Sequence, residues 1–158
     1  MKIFNTLFLL FSFVLSATLF VSCGDDEPEL NDDELLQEFF AANNITPQQT
    51  ASGLYYVIEE PGIDTLMPTR SSTVTVHYRG YFLNGDIFDS SYLRGEPTRF
   101  SLRAVIPGWT EGIPLFGVGG RGSLYLPSNL GYGPEGSLGG VIPPNTPIAF
   151  DIELFDFE

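Results

Sequence analysis

Thr73-Val74-Thr75-Val76-His77-Tyr78-Arg79-Gly80-Tyr81-Phe82-Leu83-Asn84-Gly85 is the stretch that decides the fold. Up to Leu83 it is rich in β-branched and aromatic side chains and alternates with period two, as a strand does when its two faces meet different surroundings. Asn84-Gly85 then supplies a favoured dipeptide for reversing an antiparallel pair. An antiparallel sheet is the expected framework.

Further strands lie on either side. Leu54-Tyr55-Tyr56-Val57-Ile58 ends at the turn signal Glu60-Pro61-Gly62. Thr98-Arg99-Phe100-Ser101-Leu102 is another, and Ser123-Leu124-Tyr125-Leu126 stops at Pro127. Ile148-Ala149-Phe150-Asp151-Ile152-Glu153-Leu154 closes the chain in clean alternation. Pro107 to Phe116 suits one or two helical turns, shortened by Pro114, which has no N–H to donate. Many strands and one short helix predict an α+β fold, a curved antiparallel β-sheet wrapped around a short α-helix. The 17 Gly and 12 Pro fit short elements joined by many turns, and 158 residues fit one compact domain. No internal repeat is visible.

The N-terminal part has a different character. Residues 1–22 carry Lys2, an almost wholly apolar run from Ile3 to Val21, and Ser22 before Cys23, the pattern of a signal peptide. As a transmembrane anchor the run is near the lower length limit and has one flanking positive charge. Cys23 decides between the two readings: Phe20-Val21-Ser22-Cys23 resembles a bacterial lipobox, with Phe20 in place of the usual Leu. Lipidation of Cys23, the one cysteine, is therefore expected, giving an outer-membrane lipoprotein on the periplasmic or cell-surface side. Residues 23–53 then form an acidic tether and a short helix. The run from Gly24 to Glu34 has no basic residue; it either extends by self-repulsion or resembles the acidic export signal of some surface lipoproteins. Asp33 to Asn44 reads as the helix, capped by Asp32 or Asp33, with Leu35, Leu36, Phe39 and Phe40 as one apolar stripe that docks on the domain or serves as a stalk. Thr46 to Thr50 reads as linker.

Charge and motif content exclude several classes. The chain carries −13 at pH 7, and beyond residue 22 six arginines face twenty acids. Such a polyanion repels nucleic-acid phosphates. Gly117-Val118-Gly119-Gly120-Arg121-Gly122 has dinucleotide-binding spacing, but a strand follows where a helix is required, so it reads as a turn. His77 is the sole histidine and lies inside a strand, which leaves neither a metal site nor a catalytic triad; no metal or cofactor is expected.

Several segments, in order, carry a resemblance: Val76-His77-Tyr78-Arg79-Gly80, Gly85-Asp86-Ile87-Phe88-Asp89-Ser90-Ser91, Arg94, Val105-Ile106-Pro107-Gly108-Trp109-Thr110-Glu111-Gly112, Leu126-Pro127, Gly131-Tyr132-Gly133, Val141-Ile142-Pro143-Pro144-Asn145 and Phe150 to Leu154. Over about residues 54–158 the chain resembles the FK506-binding-protein family of peptidyl-prolyl cis/trans isomerases. The resemblance implies an apolar pocket for a prolyl ring, with Trp109 as floor and Tyr78, Phe88, Val105, Ile106, Ile142 and Phe150 as walls. It implies a rim hydroxyl on Tyr132, a backbone N–H donor at Ile106, and Asp89 at the edge, held by Arg94. Asp89, Tyr132, Ile106 and Phe88 are the expected catalytic set. Departures are Thr98, where an aromatic often lines the pocket, and the glycine-rich rim loop Gly133 to Gly140 with Ser137, one residue longer than in compact members.

The implied partners are proline-containing polypeptides and FK506-like macrolides. The barrier to rotating an X–Pro bond, about 18–20 kcal/mol, comes from amide resonance, so lowering it requires no nucleophile. Two other functions use the same residues: a proline-binding chaperone or adaptor, and a structural envelope lipoprotein of the gliding type with incidental turnover.

Overall fold

The computed structural model describes residues 31–158. The expected leader 1–22, Cys23 and the acidic run through Glu29 lie outside the described residues. The elements in chain order are α1 (Asp32–Asn43), β1 (Gln48–Gln49), β2 (Tyr55–Glu60), β3 (Thr73–Phe82), β4 (Ile87–Ser90), α2 (Ser91–Arg94), β5 (Thr98–Ser101), α3 (Pro107–Gly112), β6 (Arg121–Leu126) and β7 (Ile148–Phe157).

The strands form one antiparallel sheet in the order β1-β2-β6-β7-β3-β4, and β5 pairs with the same edge of β3 as β4 does. The hairpin expected at Asn84-Gly85 is present as a three-residue loop. Gly85 donates its N–H to the Phe82 carbonyl at 2.8 Å and takes a left-handed φ of 91°. The Phe82 N–H bonds the Asp86 carbonyl at 2.9 Å.

The sheet has two covered faces. On the concave face α3 packs against β6, with Trp109, Ile113, Leu124, Leu126, Ile152 and Leu154 in one apolar core. Close approach is possible because Gly108 and Gly112 carry no side chain; a Cβ there would come within 2.4 Å of Leu126 and 2.6 Å of Leu124. Leu102 lies beneath α3 and accepts a 2.6 Å bond from the Thr110 hydroxyl through its carbonyl.

The convex face receives α1, which therefore docks rather than standing off as a stalk. Leu36 and Phe40 are buried against Tyr55, Tyr125 and Ala149, which lie in one cross-strand row. Phe40 meets the Tyr55 and Tyr125 rings edge-on at 5.1 and 5.0 Å. Burying two such side chains stabilises the docking by roughly 1.5–3 kcal/mol each. Polar contacts fix the angle: the Tyr55 hydroxyl donates to Asp33 at 2.5 Å, and Asp32 accepts the Ser128 N–H at 2.6 Å.

Three expectations are corrected. The N-cap of α1 is Asn31, in a capping box with Glu34, while Asp32 and Asp33 face the domain. The expected linker contains β1, whose Gln48 and Gln49 pair with Tyr56 and Tyr55. β7 continues past Leu154 to Phe157, because its far end still finds partners in β3. Of the glycine run, Gly117 to Gly120 is a turn in which Val118 bridges Ile63, and Arg121 and Gly122 already belong to β6. Asn44 leaves α1 in the left-handed conformation that suits asparagine.

Candidate functional site

Gly80 opens the site. It lies in β3 opposite Asp89 of β4 and Phe150 of β7. A Cβ at this position would sit 2.5 Å from the Phe88 ring and 2.7 Å from the Phe150 ring. The two rings occupy that space, meeting edge-on with centroids 5.6 Å apart. Between them and the start of α3 lies a cavity of about 480 Å³.

Tyr78, Phe88, Asp89, Val105, Ile106, Trp109, Tyr132, Ile142 and Phe150 all line this cavity. The residues selected from the sequence are thus gathered from β3, β4, α3, β7 and two loops into one place. Trp109 is its floor, 4% exposed. Tyr78, Phe100 and Phe150 stand edge-on around the indole at 5.1, 5.1 and 5.2 Å. Such edge-to-face pairs are worth about 0.5–1.5 kcal/mol each beyond area burial, so the indole is held in place from three sides. The indole N–H is buried without a hydrogen-bond partner among the described residues. Ile106 precedes α3 in extended conformation and its carbonyl accepts the Trp109 N–H at 3.0 Å, which keeps the cavity wall continuous with the floor.

The polar edge is a three-residue clasp. Asp89 accepts a very short hydrogen bond from the Tyr78 hydroxyl and an ion-pair contact of 2.5 Å from Arg94. Arg94 also donates to the Tyr78 hydroxyl oxygen at 2.8 Å and to Thr98 at 3.2 Å. Burial works against the Asp89 charge, but the Tyr78 hydroxyl and the Arg94 guanidinium outweigh it and hold the carboxyl below its usual range. Burial, reinforced by the hydrogen bond to Asp89, pushes the Tyr78 phenol up to about 12. Burial also raises Tyr132, with the Asp89 charge adding to it. Both phenols therefore remain neutral donors at physiological pH, and Asp89 remains an acceptor.

The sequence reading missed Phe100, and Thr98 is a correction. Thr98 does not line the cavity; Phe100, two residues on and on the same face of β5, fills the expected aromatic place. Period-two alternation in Thr98-Arg99-Phe100 was the signal available for it. Ala104, Ser137 and Val141 also line the cavity. Ser137 pins the rim loop, accepting the Ile142 N–H on its hydroxyl at 2.8 Å and donating its own N–H to the Ile142 carbonyl at 2.9 Å. His77 faces away from the cavity and stacks on Tyr92 at 4.4 Å.

Comparison with known proteins adds a family. The model described as FKBP-type peptidyl-prolyl cis-trans isomerase matches residues 65–155. The chain is 44% identical over 124 residues to the FKBP-type peptidyl-prolyl cis-trans isomerase FkpA of Aeromonas hydrophila, an alignment covering 77% of this chain and 45% of that protein. It superposes on the crystal structure of FkpA from Escherichia coli with a TM-score of 0.72 at 39% identity, covering 81% of this chain and 59% of the other. A peptidyl-prolyl cis-trans isomerase from Pseudomonas syringae pv. tomato matches with a TM-score of 0.69 at 32% identity, over 80% of this chain and 93% of that one. The chain spans half or less of the length of the curated relatives compared, such as 45% of the Aeromonas protein.

Proposed function

The chain belongs to the FKBP-type peptidyl-prolyl cis-trans isomerase family, and from that premise we propose that its pocket catalyses rotation about X–Pro bonds in polypeptides. The observation that carries this is the cavity of about 480 Å³ with an aromatic floor and walls and a single polar edge. A planar amide separates charge between oxygen and nitrogen; a twisted one separates less. A dry, apolar cavity therefore disfavours the planar ground state more than the twisted state. Catalysing the step from tens of seconds to a typical turnover needs about 10³–10⁵-fold, or about 4–7 kcal/mol, which positioning and differential solvation supply.

In this reading Trp109, Phe88, Phe100 and Phe150 hold the prolyl ring, with Tyr78, Val105 and Ile142 beside it. The Ile106 N–H and the Tyr132 hydroxyl bond substrate carbonyls. Asp89 orients the Tyr78 side of the wall and faces the rotating carbonyl without transferring a proton. An FK506-like macrolide is a fitting inhibitor for the same cavity.

The test is a protease-coupled assay of a proline peptide with the full chain in detergent. Acceleration that FK506 suppresses, and that Phe88→Ala or Asp89→Ala reduces, is the expected result. Unchanged isomerisation with intact macrolide binding overturns catalysis and leaves a proline-binding adaptor. We further propose that residues 1–22 direct export and that Cys23 is acylated, anchoring the domain in the outer membrane. Incorporation of labelled fatty acid that Cys23→Ser abolishes is the expected outcome; an unmodified, uncleaved N-terminus overturns it.

A further inference from the structure

β4 and β5 pair with the same edge of β3 but leave a gap between them. β5 reaches Val76 through Thr98, and β4 begins its pairing at Arg79 through Ser90. His77 and Tyr78 thus have no strand neighbour on that edge. Ser91, fully buried at the first position of α2, fills the gap with its side chain. Its hydroxyl oxygen accepts the Tyr78 N–H at 2.8 Å. Its one proton has two acceptors in reach, the Tyr78 carbonyl at 3.2 Å and His77 Nδ1 at 2.8 Å.

Both arms of the Asp89 clasp start from this point. One is the Tyr78 hydroxyl, on the residue whose backbone Ser91 holds. The other is Arg94, three residues along the single turn that Ser91 begins. Resting on the function proposed above, we propose that Ser91 is a positioning residue for the isomerase: its hydroxyl replaces the missing strand rungs of Tyr78 and locks the Tyr78 and Arg94 arms onto Asp89. Ser91 touches no substrate and acts only through that clasp.

The experiment compares the full chain with Ser91→Ala and Ser91→Cys, each alone and with Asp89→Asn. Cysteine keeps nearly the volume of serine with a weak donor, so it reports if alanine fails to fold. The readouts are kcat/KM and the titration of the Asp89 carboxyl by NMR. The expected result is a loss of about 5- to 10-fold in kcat/KM, no larger than the loss from Asp89→Asn itself, because Ser91 acts only through the clasp. The Asp89 titration is expected to rise toward its ordinary range. In the Asp89→Asn background the Ser91 substitution is expected to change kcat/KM by less than about twofold. An active parent chain with Asp89 titration unaltered in both Ser91 variants, and losses that multiply in full, overturns the positioning role alone. An inactive parent chain overturns the isomerase reading itself.

Discussion

Tyr78 and Arg79 are consecutive residues in β3, and each joins a carboxylate clasp on a different face of the sheet. On the concave side Tyr78 and Arg94 hold Asp89. On the convex side Arg79 contacts Asp151 at 2.5 Å, with the Ser123 and Tyr81 hydroxyls donating to it at 2.9 and 3.2 Å. The chemistry of the two is nearly the same, but their surroundings differ. Asp89 lines the cavity floored by Trp109; Asp151 sits in a polar cross-strand row beside the docked α1. A carboxylate held by arginine and tyrosine is therefore not in itself a sign of a site. The cavity next to it makes the difference.

The comparison breaks most visibly at α1. Phe40→Ala is expected to destabilise the domain by about 3–5 kcal/mol, read by urea unfolding, with kcat/KM of the folded fraction within about twofold of the parent. A parallel loss of activity would mean that the two faces do not act separately. On the concave side Gly80→Ala forces a methyl between Phe88 and Phe150. A loss of about 100-fold in kcat/KM, equivalent to about 2.7 kcal/mol, is expected, accompanied by about 1–3 kcal/mol of overpacking strain.

Exchanging the acids sharpens the contrast. Asp89→Asn is expected to lower kcat/KM by about tenfold while stability moves by less than about 0.5 kcal/mol, since the ion pair is half exposed. Asp151→Asn is expected to do the reverse, costing about 1–2 kcal/mol of stability with turnover unchanged. Thermal melts beside the peptide assay separate the two.

The smallest effect is in pH. Asp89 is held lower in the fold than in the unfolded chain, so its contribution is whole above the ordinary value of about 4 and is lost as pH falls through the folded value. Tyr78 is raised to about 12; its contribution is whole below about 10 and is lost as pH rises through about 12. A flat profile of kcat/KM from about pH 5 to 9 is the expected outcome, and a bell inside that window would assign the chemistry to another group.

The long strands were legible because β3 alternates from Thr73 to Gly80 and β7 from Phe150 to Leu154. β1 has two residues and β4 four, too few for any period to stand out. Asn31 was hidden as the cap of α1 because its neighbours Asp32 and Asp33 are equally able to cap; only the docking contacts separate them. At the site, the lining residues were readable from ordered motifs, whereas the hydrogen bond from Tyr78 to Asp89 joins residues eleven apart and depends on the β3–β4 register. Phe100 is harder to see for a narrower reason: it lies one alternation beyond Thr98, the position at which the resemblance expects an aromatic.

Because neighbouring residues of β3 serve opposite faces, inserting or deleting a single residue between Val76 and Phe82 would turn Tyr78 and Arg79 about together, emptying the pocket wall and the Asp151 row at once. The rim from Gly133 to Ile142 has no such double duty: its turn at Ser137 to Gly140 closes on itself, and Leu138 at the tip is fully exposed. Length change in this fold is accordingly affordable at the rim and nowhere along the central strand. Under the function proposed above, lengthening or retipping that loop would reshape the pocket mouth while leaving the floor at Trp109 as it is.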